Sequence, residues 1–192
     1  LETLQKADLK LLWGKHEPDE NRGKLVCNIG TGFNIALAIP TETSSIVPPA
    51  EAGHINLPIR NELELEIANF IRSEKGFASV EQILSGSGLM LLNKFFNPKV
   101  KKTSLQIVED AKNNKQYANQ IIHTFTNFMG SILGDLVLTS LPYGGVFLVG
   151  GVSRAIAPFI KEKTFEKAFC DKGQFSDFNK KFTINLILAS IV

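Results

Sequence analysis

The apolar positions change period several times along the chain. From Asn61 to about Lys75, Leu63, Ile67, Phe70 and Ile71 recur at steps of three and four residues, which predicts an amphipathic helix. Asn61 is placed to cap its start and Gly76 to stop it. A longer helix is expected from about 115 to 139, where Ile121, Ile122, Phe125, Phe128, Met129, Ile132 and Leu136 form a broad apolar face. Gly130 and Gly134 fall on one side of it, four residues apart, and would let another backbone come close. Glycine in mid-helix otherwise costs about 1 kcal/mol. Further helices are expected over residues 2 to 13, 88 to 97 and 103 to 113, and in "VSRAIAPFIKEK" and "TFEKAFCDKG". A short helix from Ser79 through Leu84 is expected to be broken by "SGSG".

Other stretches read as strands. "KLVCNIGTGFNIALAIP" predicts two strands about a Gly-Thr-Gly turn, and "SIVPP" a short edge strand ended by proline. "GVFLVG" and "TINLILAS" are short apolar runs that suit buried strands. Strands alternate with helices, first as a hairpin and later as strand, helix and strand. The expected class is α/β with a mixed sheet and flanking helices.

Composition narrows the function. The chain has 192 residues, 44% hydrophobic and 21% charged, which suits one globular domain with a core of its own. A formal net charge of +2, spread along the chain, argues against nucleic acid as a partner. Cys27 and Cys170 form no paired motif, as expected in a reducing cytoplasm. His16, His54 and His123 lack the spacing of a metal site. The apolar window "LPYGGVFLVGGVSRAIAPFI" carries Arg154, glycines and two prolines, so it reads as buried strand, turn and helix and not as a membrane span. The chain opens on Leu1 with no charged leader, and this start reads as a domain cut or a processed end.

Four stretches carry residues suited to chemistry. A strand ending in Gly30-Thr31-Gly32 can present backbone N–H groups and a hydroxyl to an anion; taken alone, the motif is more simply a hairpin turn that needs glycine. In "EAGH", Glu51 and His54 flank two small residues. A carboxylate accepts from vicinal hydroxyls, and an imidazole both donates and accepts; an exposed glutamate beside a loop histidine is the plain alternative. Glu81 in "SVEQILSGSG" is a second acid of this kind, or a first-turn acid favoured by a helix dipole. Gly150 and Gly151 close "GGVFLVGG" and open a helix, which lets a flat ligand lie on the backbone; close packing accounts for such a pair too.

Taken in order, "IGTG", "EAGHINLP", "SVEQILSGSGL", "LPYGGVFLVGGVSRAI" and "FEKAFCDKGQFSDF" resemble the bacterial-type glucokinase family. That family shows a GTG turn, an EGGH-like motif, "VSxExxLSGPGL", "GGVxxxGGI" and "FxxKGRF" in the same order. The likeness starts at about residue 24. It implies an actin-like ATPase (ribonuclease H-like) fold, with a sugar cleft between two domains. Carried over by position, Glu51, His54 and Glu81 fall on glucose-contacting positions. Gly30, Thr31 and Gly32 fall on a phosphate-side turn, and Gly150 and Gly151 on the adenosine side. Glucose, ATP and phosphate-bound Mg²⁺ are the implied ligands, and a cytoplasmic homodimer formed through this domain the implied assembly.

The sequence also departs from that pattern. Phe33-Asn34 follows Gly-Thr-Gly in place of Leu-Gly, Ala52 replaces a glycine, and Ser87 replaces a proline. The family's N-terminal domain, with a phosphate hairpin and an Asn-Asp pair whose Asp is the base, has no counterpart in these residues, nor has the closing helix. The chain is expected to be the large domain alone, residues 1–192, supplying no catalytic base. Two functions stay open: an ATP-dependent glucose kinase, or a non-catalytic sugar-binding or regulatory relative.

Overall fold

A computed structural model describes residues 6–161 and 163–188. Six strands form one mixed sheet in the order β1-β6-β5-β2-β3-β4. The strands are β1 (Leu9–Trp13), β2 (Lys24–Ile29), β3 (Phe33–Pro40), β4 (Ser45–Ile46), β5 (Val146–Val149) and β6 (Ile184–Ile187). β2, β5 and β6 run parallel at the centre. β3 folds back antiparallel on β2, β4 on β3, and β1 lies antiparallel on β6. In β2 the side chains of Leu25, Cys27 and Ile29 are buried and those between them less so. This alternation fixes which face of the hairpin meets the core. β5 and β6 are covered on both faces, as central parallel strands are.

The helices are α1 (Glu62–Lys75), α2 (Gly86–Phe96), α3 (Ser104–Lys112), α4 (Gln116–Ser140), α5 (Gly151–Ile156), α6 (Lys163–Phe169) and α7 (Ser176–Asn179). α1 starts and stops where expected. Asn61 accepts from the Glu64 N–H, and Gly76 closes the helix at a φ of 81°. α4 is long and apolar enough to cross a membrane, but its apolar side chains are buried among α2, α3 and α6. The two glycines do what their spacing implies. A Cβ on Gly130 would lie 2.6 Å from the Phe165 carbonyl oxygen, and one on Gly134 2.6 Å from that of Phe169. α6 therefore lies directly on the α4 backbone.

Three expectations need correcting. The helix over residues 2 to 13 is, within the described residues, a 3₁₀ turn at Lys6–Asp8 and then β1. Pairing with β6 overrides the local helical pattern, burying Leu12 and setting the Trp13 ring edge-on to Phe169 at 4.8 Å. The stretch 79–84 is a turn, not a helix. "SGSG" starts α2 and does not end a helix, because the Ser85 hydroxyl accepts from the Gly88 N–H as an N-cap. The stretch after Val152 is shorter than expected: α5 gives way to a 3₁₀ turn at Ala157–Phe159, which contains Pro158. α7 has no counterpart among the expected helices. Glu162 in "VSRAIAPFIKEK" and the last two residues of "TINLILAS" lie outside the described residues.

α3 is anchored at both ends. Thr103 and Gln106 form a reciprocal capping box at its start. Near its end Asp110 accepts from Lys115 at 2.6 Å, from the Tyr117 hydroxyl, and pairs with Lys102 at 3.2 Å. Lys115 above all, then Tyr117 and Lys102, hold the Asp110 carboxyl well below the usual carboxylate range. Burial, with the Asp110 bond second, pushes Tyr117 up to about 12, so its hydroxyl remains a donor.

Two outcomes test this packing. Alanine is better than glycine in an open helix by about 1 kcal/mol, yet Gly130→Ala should destabilise the chain by about 1–3 kcal/mol, since α6 must move. Chemical denaturation decides the sign, and a gain in stability would refute the close approach. A depressed carboxyl pKa contributes stability above the unfolded value of about 3.9, which is lost as pH falls toward the folded value. Asp110→Asn should therefore lower Tm at neutral pH, with the gap to the parent closing as pH drops below about 4. A gap that persists unchanged in acid would assign the loss to packing.

Candidate functional site

The parallel strands β2 and β5 end side by side, and both lead into glycine turns. Crevices outside the carboxyl ends of parallel strands are where such sheets bind ligands. After β2, the Gly30 N–H donates to the Gly32 carbonyl at 3.0 Å, which closes the hairpin. The Gly30 N–H is thus spent inside the turn and is not free for an anion. Thr31 stands exposed at the tip, and among the described residues it has no hydrogen-bond partner. The Gly30 carbonyl accepts from the Gly86 N–H at 2.9 Å, tying the turn to the start of α2.

After β5, Gly150 has a φ of 100°, and a Cβ there would lie 2.4 Å from the Ile29 carbonyl oxygen. Only glycine suits that position. Gly151 opens α5 with nothing within 4 Å of its Cβ direction. A groove of 550 Å³ lies between these turns and is bordered by Gly30, Thr31, Gly86, Ser104, Gly151 and Val152. Leu89, Met90, Leu105 and Val108 add an apolar wall. Leu105 is 77% exposed there, the highest value among the exposed large hydrophobic residues of the described chain.

The three predicted sugar-contact residues are brought together by backbone pairing. Residues 53–57 run antiparallel to 78–81. The Glu81 N–H donates to the Gly53 carbonyl at 2.9 Å, Val80 to Ile55 at 3.1 Å, and Leu57 to Ala78 at 3.1 Å. Glu81 therefore lies beside the 3₁₀ turn Ala52–His54, which the His54 N–H closes onto the Glu51 carbonyl at 3.1 Å. Glu51 and His54 are exposed and Glu81 is partly buried. Glu81 is also fixed from the hairpin side, where its Oε2 accepts from the Phe33 N–H at 3.0 Å. The Phe33 ring turns into the core, at 3% exposure, so its bulk leaves the turn's outer face open.

Sequence reasoning overlooked two parts of this site. One is the apolar wall of the groove, whose residues read only as helix faces. The other is Asn34, visible in the sequence merely as a departure from Leu-Gly. Its side chain reaches Ala50, Glu51 and Ala52. Another carboxylate, Glu64, is 2% exposed and fully engaged. It accepts from the Arg60 N–H, Nε and Nη2 and from Asn127 Nδ2. Among the described residues no group of three or more His, Cys, Asp and Glu is arranged to hold a metal ion.

A mixed sheet with a glycine hairpin beside a helix-bordered groove, and carboxylates at the hairpin's other flank, is the actin-like ATPase fold in its sugar-kinase form. Solved structures agree. A glucokinase from an Antarctic psychrotroph superposes with a TM-score of 0.86 at 27% identity, covering 97% of this chain and 60% of that one. A glucokinase from Balamuthia mandrillaris, solved with glucose, gives 0.82 at 20% identity, over 95% and 55% of the two chains. The chain belongs to the Glucokinase family, whose model matches residues 1–192. The match thus takes in residues 1–23, ahead of the motifs that carry the likeness in sequence. The glucokinase of Salmonella heidelberg is 29% identical over 195 residues, covering 96% of this chain. The chain spans 60% of that relative's length.

Proposed function

We propose that this chain is the large domain of an ATP-dependent glucose kinase that forms glucose 6-phosphate. The observation that carries the reading is the placement of Glu81. Its backbone joins the Glu51–His54 turn, and its carboxylate is held by the N–H that follows Gly-Thr-Gly. Hydroxyl-binding groups and a phosphate-side turn are thereby locked together, and the turn borders the groove. Glu51, His54 and Glu81 hold sugar hydroxyls. Thr31 and Gly32 face the phosphates. The adenosine lies in the groove beside Gly150 and Gly151, its base against Leu105, Val108 and Val152.

Phosphoryl transfer is mostly positioning and charge stabilisation, with a base to take the hydroxyl proton. The two carboxylates fix hydroxyls that do not react; on the family resemblance the base comes from an N-terminal domain, and domain closure assembles the site. Mg²⁺ would enter on the nucleotide's phosphates and offset their charge. A cytoplasmic setting and a homodimer through this domain belong to the same reading, on the strength of the family resemblance.

In the full-length protein, Glu51→Gln and Glu81→Gln should each lower kcat/KM for glucose by roughly ten- to a hundredfold, the worth of a hydrogen bond to a charged group. His54→Ala, which removes no carboxylate, should act more mildly. Tm should hardly move for the exposed Glu51 and His54. Kinetics equal to the parent in both glutamate variants would reject the assignment. The purified 192-residue chain should phosphorylate no glucose in a coupled assay with MgATP. Turnover on the order of 1 s⁻¹ would place the base within it.

A further inference from the structure

Building on the sugar-site reading of Glu51, we propose that Asn34 is a positioning residue for sugar binding, which presets the Glu51 carboxylate and the turn that carries it. Asn34 lies in β3, two residues beyond the Gly-Thr-Gly turn, opposite Asn28 of β2. Its amide makes four hydrogen bonds. Oδ1 accepts from the Ile35 N–H at 2.8 Å and from the Ala52 N–H at 3.0 Å. Nδ2 donates to the Ala50 carbonyl at 2.7 Å and to Glu51 Oε2 at 3.3 Å. Two acceptor sites and two N–H donors are the whole capacity of a primary amide. With the amide reversed, its N–H groups would face the Ile35 and Ala52 N–H groups, so the orientation is fixed by chemistry.

Three consecutive residues, Ala50 to Ala52, are thus held by one side chain. Glu51 is exposed, and an exposed carboxylate on a free χ1 samples several rotamers that binding must then select. The Asn34 bond spends one lone pair of Oε2 and fixes the rotamer, leaving Oε1 and the rest of Oε2 for hydroxyls. Glycine at this position, as in the family's Leu-Gly, has no such side chain. In this chain the sheet itself orients the sugar-binding acid.

The test uses the full-length protein and glucose. Asn34→Asp keeps both acceptor bonds but loses both donors, and sets a second carboxylate against Glu51. Glucose KM should rise by roughly tenfold or more, as for a lost bond to a charged group, with kcat and the KM for ATP nearly unchanged. Two adjoining carboxylates raise one another's pKa, so the defect should shrink as pH is lowered from about 8 to about 5.5. A loss of fold alone would not show that pH dependence. In the Glu51→Gln background the carboxylate repulsion is absent and only the donor to the Ala50 carbonyl is lost, so Asn34→Asp should raise glucose KM by much less than it does in the parent. An unaltered glucose KM in Asn34→Asp, or additive effects in the pair, would overturn the inference. If Glu51→Gln itself leaves kcat/KM for glucose unchanged, the sugar-site assignment of Glu51 fails and this inference with it. A Glu51→Gln defect without an Asn34→Asp defect removes this inference only.

Discussion

A methyl group on Gly53 would sit 2.2 Å from the Phe33 carbonyl oxygen and 3.3 Å from the Glu81 Cβ. Three loops from distant parts of the sequence meet at this point with no room for a side chain. The hairpin exit supplies Phe33, the turn before α1 supplies Gly53, and the segment before α2 supplies Glu81. The Phe33 N–H and the Gly53 carbonyl then both bond to Glu81, one through its carboxylate and one through its N–H. Crowding and hydrogen bonding fix the same geometry. What sets the location of all three is the register of β2 against β3. That register is pinned by the buried alternation of Leu25, Cys27 and Ile29. A slip of one residue would turn this apolar row outward, and would carry Phe33 and the carboxylate contact with it.

The groove follows from the same strands. β2 and β5 are paired in parallel, from Leu25 opposite Val146 to Asn28 opposite Val149, so both end at one level. Gly150 then passes against the end of β2, and α5 begins at the groove floor. The other wall is α3, whose capping box and Asp110 cluster hold it in place while Leu105 stays in solvent. Exposed leucine costs hydrophobic stabilisation of about 1.5–3 kcal/mol relative to burial. A flat ring bound in the groove, as in the proposed adenosine placement, would recover part of it.

Most elements were legible where local pattern and tertiary need agree. α1 carries its own cap and stop, and Gly130 and Gly134 announced the close approach of α6. The β2–β3 hairpin was legible because glycine separates two apolar runs. The errors fall where long-range contacts decide. β1 reads as a helix by its leucine spacing and becomes a strand only because β6 offers an edge and Phe169 a ring. Residues 79–84 look like a capped helix, but Val80 and Glu81 pair with 53–57, and 82–84 only close a turn onto Ser79 and Val80. The candidate carboxylates were found in sequence as a set of motifs, while their contact with the hairpin was not. No local pattern encodes a bond between residues 33 and 81. Asn34 left only the trace of a mismatch, since an amide's partners depend on which loop folds over it.

Three glutamates near the starts of α1 and α2, namely Glu51, Glu64 and Glu81, separate by how their oxygens are used. A carboxylate has about four acceptor sites. Glu64 fills all four with Arg60 and Asn127 and is sealed from water. Such an acid holds the loop before α1 to α4 and has nothing left for a ligand. Glu81 has one protein donor, the Phe33 N–H, and Glu51 one, the Asn34 amide. Each single bond is directional enough to orient the group and leaves most of its capacity open toward solvent. Removing a partner from Glu64 leaves a buried charge unpaired, which costs stability. Removing the carboxylate of Glu51 leaves nothing buried unsatisfied but the Asn34 Nδ2 donor, itself beside water. The saturated acid and the two proposed sugar contacts thus differ in unused acceptor capacity: the fold orients Glu51 and Glu81 without saturating them.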